Sequence, residues 1–107
     1  MAFNIKRTAD FAVKVTVSTP VAGKWIEETL TLTVKRLSME QLEPLRKEGD
    51  AAILREVVSG WEGITDDDGN PVEFSEETLE GFLLIPAAVR ASVLAYLSAI
   101  AGVREKN

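Results

Sequence analysis

The stretch DFAVKVTVSTPVAGKWIEETLTLTVKRL, Asp10 to Leu37, alternates apolar and polar side chains on both sides of a break that contains Pro20 and Gly23. Phe11, Val13, Val15 and Val17 fall on one side of a period of two, and Ala12, Lys14, Thr16 and Ser18 on the other, which is the pattern of a half-buried strand. A second run places Ile26, Leu30, Leu32 and Val34 on one face and Trp25, Glu27, Thr29, Thr31, Thr33 and Lys35 on the other. Its β-branched content favours extended chain, and Glu28 interrupts its apolar face. The intervening TPVAGK predicts an antiparallel hairpin with a loop longer than two residues. Two strands alone are marginal in water, so the hairpin must pack on helices or gain strands from another copy. Phe3 to Ile5 supplies a candidate third strand.

Beyond the hairpin the apolar spacing becomes helical. Ser38 and Gln41 form a capping box that opens a first helix, and Pro44, past the first turn, predicts a kink or an early end. Asp50 suits the cap of a second segment, in which Leu54, Val57, Val58 and Trp61 share one face and Trp61 completes a core stripe. Ser75 caps a third helix, with Glu76 and Glu77 at the positive end of its dipole. Pro86 suits the first turn of the last helix, where Val89, Val93, Tyr96, Leu97 and Ile100 form a stripe. Ala87, Ala91, Ala95 and Ser98 flank that stripe and allow close approach of another helix, while Arg104 and Lys106 suit the carboxyl end. The expected fold is α+β: an N-terminal antiparallel β-hairpin over 10–36 followed by about four helices over 38–103, in a single domain spanning 1–107.

Composition narrows the function. The 107 residues suffice for one hydrophobic core, and 46% apolar with 27% charged residues is ordinary for a soluble globular domain. Cysteine and histidine are both absent, which removes disulfides, thiolate and imidazole metal ligands, and nucleophile systems built on either residue. The opening MAFNIKRTADF lacks the continuous apolar core of a secretory signal, so a cytoplasmic location is expected. The most apolar run, Gly81 to Gly102, is interrupted by Pro86 and Arg90 and is expected to be a buried helix with no membrane partner. Charge is uneven: residues 1–36 carry six Lys/Arg against three acids, whereas residues 56–89 carry nine acids and no base. That second region would repel nucleic acid and attract a basic protein surface.

The acidic segment ITDDDGNPVEFS, Ile64 to Ser75, invites a calcium reading. With Gly69 at the sixth position of an EF-hand loop, Ile64 and Ser75 occupy the first and twelfth, where carboxylates are needed, so the match fails at both ends. Asp66, Asp67 and Asp68 read as a mobile, solvated turn rather than as paired catalytic acids, which need a cleft and opposed environments. Tyr96, the one tyrosine, belongs to an apolar stripe, and no phosphate-binding glycine pattern occurs. No catalytic, cofactor or metal residues are therefore assigned, and a non-enzymatic interaction domain is expected.

The order of parts, a hairpin, a capped helix and then VVSGWEGITDDDGNPVEFSEETLEGFLLIPAAVRASVLAYLSAI, resembles the tail assembly chaperones of long-tailed bacteriophages. Gly60, Trp61, Gly63, Ile64, Asp66, Gly69, Pro71, Phe74, Ser75, Glu77 and Leu79 carry the resemblance, together with the helix containing Tyr96; it spans roughly residues 10–100. It implies a protein of the infected host's cytoplasm that keeps the tape measure protein soluble until tail tube subunits polymerise around it. It also implies a frameshifted longer form that recruits tail tube protein, with the slippage near the terminal EKN. A coating chaperone exposes apolar surface or strand edges, so the candidate interaction residues are Val13, Val15, Val17, Leu30, Leu32 and Val34 of the hairpin, for self-association or client binding, with Asp66, Asp67 and Asp68 as an electrostatic contact. The competing expectation is an acidic inhibitor that mimics nucleic acid and binds a basic host protein.

Overall fold

Eleven residues on each side of a two-residue turn form the hairpin, β1 (Phe11–Val21) and β2 (Lys24–Val34), in the computed structural model, which describes residues 1–103. The loop is shorter than expected. Val21 pairs with Lys24, and Ala22 and Gly23 both take positive φ, 49° and 79°. Two consecutive left-handed residues match the right-handed strand twist and close a hairpin without further residues, so Pro20 is left inside β1 rather than in the loop.

The register pairs Val13 with Leu32 and Val15 with Leu30, gathering the apolar residues of both strands on one face. On that face Val17 meets Glu28 and Thr19 meets Ile26, so the apolar character fades toward the tip.

The third strand is not Phe3 to Ile5, which lie outside any strand, with Phe3 and Ile5 each 86% exposed. It is β3 (Val58–Glu62), antiparallel to β2 in the sheet order β1-β2-β3, with an irregularity between Thr33 and Val34. Leu54, Val57, Val58 and Trp61 do carry helical spacing, but the helix stops at Val57. Two β-branched residues and the unpaired edge of β2 favour the extended form, and Gly60 disfavours continuing the helix. Trp61 lies opposite Leu32, so the strand also delivers it to the core side. There its ring packs on Phe74 and Phe82, with centroids 5.2 and 5.5 Å away, and its Nε1–H donates to the Val72 carbonyl at 2.8 Å.

Helices cover the apolar face of the sheet. α1 (Met39–Glu48) starts at the expected Ser38 and Gln41 capping box and runs unbroken through Pro44. Only the Glu40 carbonyl loses its helical donor there, and both residues are exposed, so that carbonyl is open to solvent. Gly49, at φ 122°, separates α1 from α2 (Asp50–Val57) and occupies the N-cap position expected for Asp50. Asp50 instead accepts from Arg90 Nη1 at 3.2 Å, tying α2 to the last helix.

α3 (Glu76–Phe82) begins with the Ser75 hydroxyl accepting from the Thr78 amide, and α4 (Pro86–Ile100) begins with Pro86 in its first turn. The two meet at 105°, so the apolar run is two helices. No single helix among the described residues is long and apolar enough to cross a membrane. α4 lies against β1 and α2, burying Val89, Val93 and Tyr96 as its spacing requires, with Ala88 and Ser92 alongside. Arg104 and Lys106 lie outside the described residues. The core unites Val13, Val15, Val17, Leu32 and Val34 of the sheet with Ile53, Leu54, Val57, Leu79 and Phe82 of the helices. The result is a single α+β domain with an elongated outline of 48 × 31 × 25 Å.

Candidate functional site

The hairpin reaches beyond the helices that cover it. β3 ends at Glu62, and Gly63 turns the chain away with φ 88°. A Cβ on Gly63 would lie 3.3 Å from both the Leu30 Cα and the Thr29 carbonyl, so only glycine lets this turn press onto β2. Past that point the inner face of the hairpin is met by the corner between α3 and α4, where Leu83 to Ile85 link the two helices.

A groove of about 230 Å³ remains between hairpin and corner, with Val17, Leu30, Ile64, Phe82 and Ile85 supplying apolar walls. Among the described residues Glu28 is the one ionisable residue lining it. The break in the apolar pattern of β2 thus places a carboxylate at the groove, next to side chains suited to an apolar ligand surface. Leu84 and Ile85 are 82% and 50% exposed, and Val21, Trp25 and Ile26 are exposed on the hairpin tip.

The acidic stretch starts at the groove, since Thr65 lines it. The stretch is a turn, as expected, but a built one rather than a mobile run. Thr65 bridges Pro71, the Val72 amide donates to the Ile64 carbonyl at 2.8 Å, and the Asp66 amide donates to the Asn70 carbonyl at 2.9 Å. The Asp66 carboxylate accepts from the amides of Asp68 and Asn70 at 2.9 and 3.0 Å, so it is spent on holding the turn. Asp67 and Asp68 are exposed and remain available to a partner. Among the described residues no group of three or more carboxylates is placed to hold a metal ion.

The hairpin candidates divide differently from the sequence expectation. Val13, Val15, Val17, Leu32 and Val34 are all buried, and Leu30 is half-buried. Their role is to form the floor on which the helices pack; of these candidates, Val17 and Leu30 line the groove. The surface-forming residues, Ile26, Leu84 and Ile85, were missed because period-two and helical patterns treat every apolar residue on the right face as core. Two signals were present in the sequence: Glu28 marks where the apolar face ends, and Pro86 forces a corner just after Leu84 and Ile85.

Two perturbed groups lie elsewhere. Arg55 forms a two-pronged ion pair with Glu80, with contacts of 2.7 and 2.8 Å, and these hydrogen bonds hold the Glu80 carboxyl below the usual range and raise the guanidinium. Burial pushes the Tyr96 phenol up, opposed by the Leu37 backbone and the charge of Arg36. Tyr96 Oη donates to the Lys35 carbonyl at 2.8 Å, and its ring stacks on Phe11 at 6.3 Å. Both arrangements join elements of the fold: the first links α2 to α3, the second α4 to the end of β2.

Fold and surface define a small α+β domain that displays an apolar groove with one carboxylate, Glu28, in its lining. The sequence model of the YdaY prophage protein family matches residues 33–107, and the chain belongs to that family. It is therefore phage-derived. The match begins at Thr33, so most of the hairpin lies outside it. No curated protein and no solved structure matches the chain.

Proposed function

We propose that this phage-derived protein is a non-enzymatic tail assembly chaperone that binds the tape measure protein and keeps it soluble during tail assembly in the cytoplasm of the host. The observation that carries this reading is the groove between hairpin and α3–α4 corner, with Leu84 and Ile85 exposed beside it. Apolar side chains held on a folded body offer a long helical client a place to bury its own apolar stripe. Glu28 lines that place, so the favoured client segment carries Lys or Arg beside its apolar residues. A longer frameshifted form would bring tail tube protein to the same complex.

The nucleic-acid mimic draws less support. Of the nine acids in 56–89, Glu80 is paired with Arg55, Asp66 is occupied within its turn, and Glu76 and Glu77 sit in the first turn of α3. They do not form one free acidic surface.

The test is affinity purification of tagged protein from cells carrying the active phage, with mass spectrometry of what is retained. Recovery of a long, helix-rich phage protein, lost in Ile85→Lys but kept in Val103→Lys, is the expected result. Recovery of a host DNA-binding protein alone would refute the chaperone reading in favour of the mimic.

A further inference from the structure

β2 is paired on both sides only over Thr31 to Val34; its distal half has β1 on one side and nothing in the sheet on the other. The two-residue turn fixes which main-chain groups are free there. Val21 and Lys24 form the hydrogen-bonded pair that closes the hairpin, so alternate residues, Trp25 and Glu27, direct N–H and C=O away from β1. Among the described residues no hydrogen bond reaches those outward groups.

An open edge next to an exposed tryptophan is an invitation to pair, because its polar groups gain partners and its apolar side chains leave water. The other long edge is guarded: β1 places Lys14 and Pro20 at outward positions, and proline has no N–H to offer. The distal edge of β2 carries the charges of Lys24, Glu27 and Glu28 but no proline, so its outward N–H groups remain able to donate.

The segment KWIEE, Lys24 to Glu28, is complementary to itself when run antiparallel. With a two-fold axis at Ile26, Lys24 faces Glu28 of the second copy, Ile26 faces Ile26, and Trp25 and Glu27 form the hydrogen-bonded pairs. Moving the axis to Glu27 sets two glutamates against each other, and moving it to Trp25 sets Lys24 against Ile26. Only the first register satisfies charge, apolar contact and hydrogen-bond direction together.

We propose that this chain forms a symmetric dimer in which the Lys24 to Glu28 edge of β2 pairs antiparallel with the same edge of a second copy, centred on Ile26. The dimer needs no client, so it stands or falls apart from the chaperone reading. An axis normal to the sheet leaves the two grooves opening on the same side.

Sedimentation equilibrium of the full chain tests it, with circular dichroism melts showing that each variant is folded. Lys24→Glu and Glu28→Lys each place two like-charge pairs in the interface and are expected to weaken the dimer about tenfold. Combining Lys24→Glu with Glu28→Lys restores both ion pairs with reversed sign and is expected to recover the original affinity. Glu27→Pro removes an outward N–H that no intramolecular bond uses and is expected to leave a folded monomer. A wild-type chain that stays monomeric overturns the proposal. So does a double variant no tighter than the singles, or a Glu27→Pro chain that dimerises as wild type.

Discussion

Tyr96→Phe is the sharpest probe of how the last helix is locked to the sheet. Tyr96 is 1% exposed, and its hydroxyl donates to the Lys35 carbonyl at 2.8 Å. The lysine's own amide is already committed to the Val57 carbonyl, so this corner joins α4, the end of β2 and the end of α2. Removing the hydroxyl leaves the carbonyl without that donor and costs about 1–2 kcal/mol, which for a domain of this size lowers the melting temperature by roughly 4–16 °C. The pH dependence adds a second readout. Burial raises the phenol from its ordinary value of 10.0, so the folded state favours the protonated form. This contribution is fully present below that value and is lost as pH rises from it toward the folded value, because the unfolded chain releases the proton first. Since Tyr96 is the one tyrosine, the tyrosinate absorbance band reports it alone. The expected results are a delayed alkaline titration in the folded protein and a phenylalanine variant with a flatter alkaline stability profile. Titration at the ordinary value in a folded chain, or a phenylalanine variant as stable as the parent, would refute the assignment.

Other substitutions probe different links. The Ser92 hydroxyl is fully buried with no hydrogen-bond partner among the described residues, so Ser92→Ala, which also improves helix propensity, is expected to raise stability by about 1 kcal/mol in urea melts; a loss would mean that the hydroxyl is satisfied. Ala22 holds φ 49° in the hairpin turn, and Ala22→Asn is expected to add up to about 1 kcal/mol by thermal denaturation. Leu32→Ala removes a side chain 1% exposed and is expected to cost about 2–5 kcal/mol, whereas Ile26→Ser, at the exposed tip, is expected to stay within about 0.5 kcal/mol, each measured with both chains monomeric. Arg55→Met removes the hydrogen bonds that hold Glu80 low, so the Glu80 carboxyl should titrate closer to its ordinary value by NMR. Because the lowered carboxyl contributes stability above its ordinary range and loses it as pH falls, this substitution should also flatten the acid limb of the stability profile.

The local signals for elements were strong where one physical cause acted alone. The capping residues Ser38 and Ser75 and the first-turn proline Pro86 were legible because each satisfies or avoids backbone donors at a helix start, whatever surrounds it. Ala22 and Gly23 were harder to read, since an alanine at positive φ is a cost that only the paired strands around it repay. Trp61 shows the limit most clearly. Its spacing from Leu54, Val57 and Val58 fits a helix and its neighbours fit a strand, and the unpaired edge of β2, distant in the chain, decides between them.

By itself, then, the sequence determined the hairpin, the starts of α1, α3 and α4, the α+β class and the acidic turn, because alternation, capping and turn chemistry act over a few residues. Only the tertiary structure decided which apolar residues became surface. Val15 and Ile26 sit on the same face of one hairpin, yet the helices reach the first and stop short of the second, leaving one 1% and the other 39% exposed. That difference depends on where β3 ends at Gly63 and where α3 turns into α4, and no short window of residues contains both.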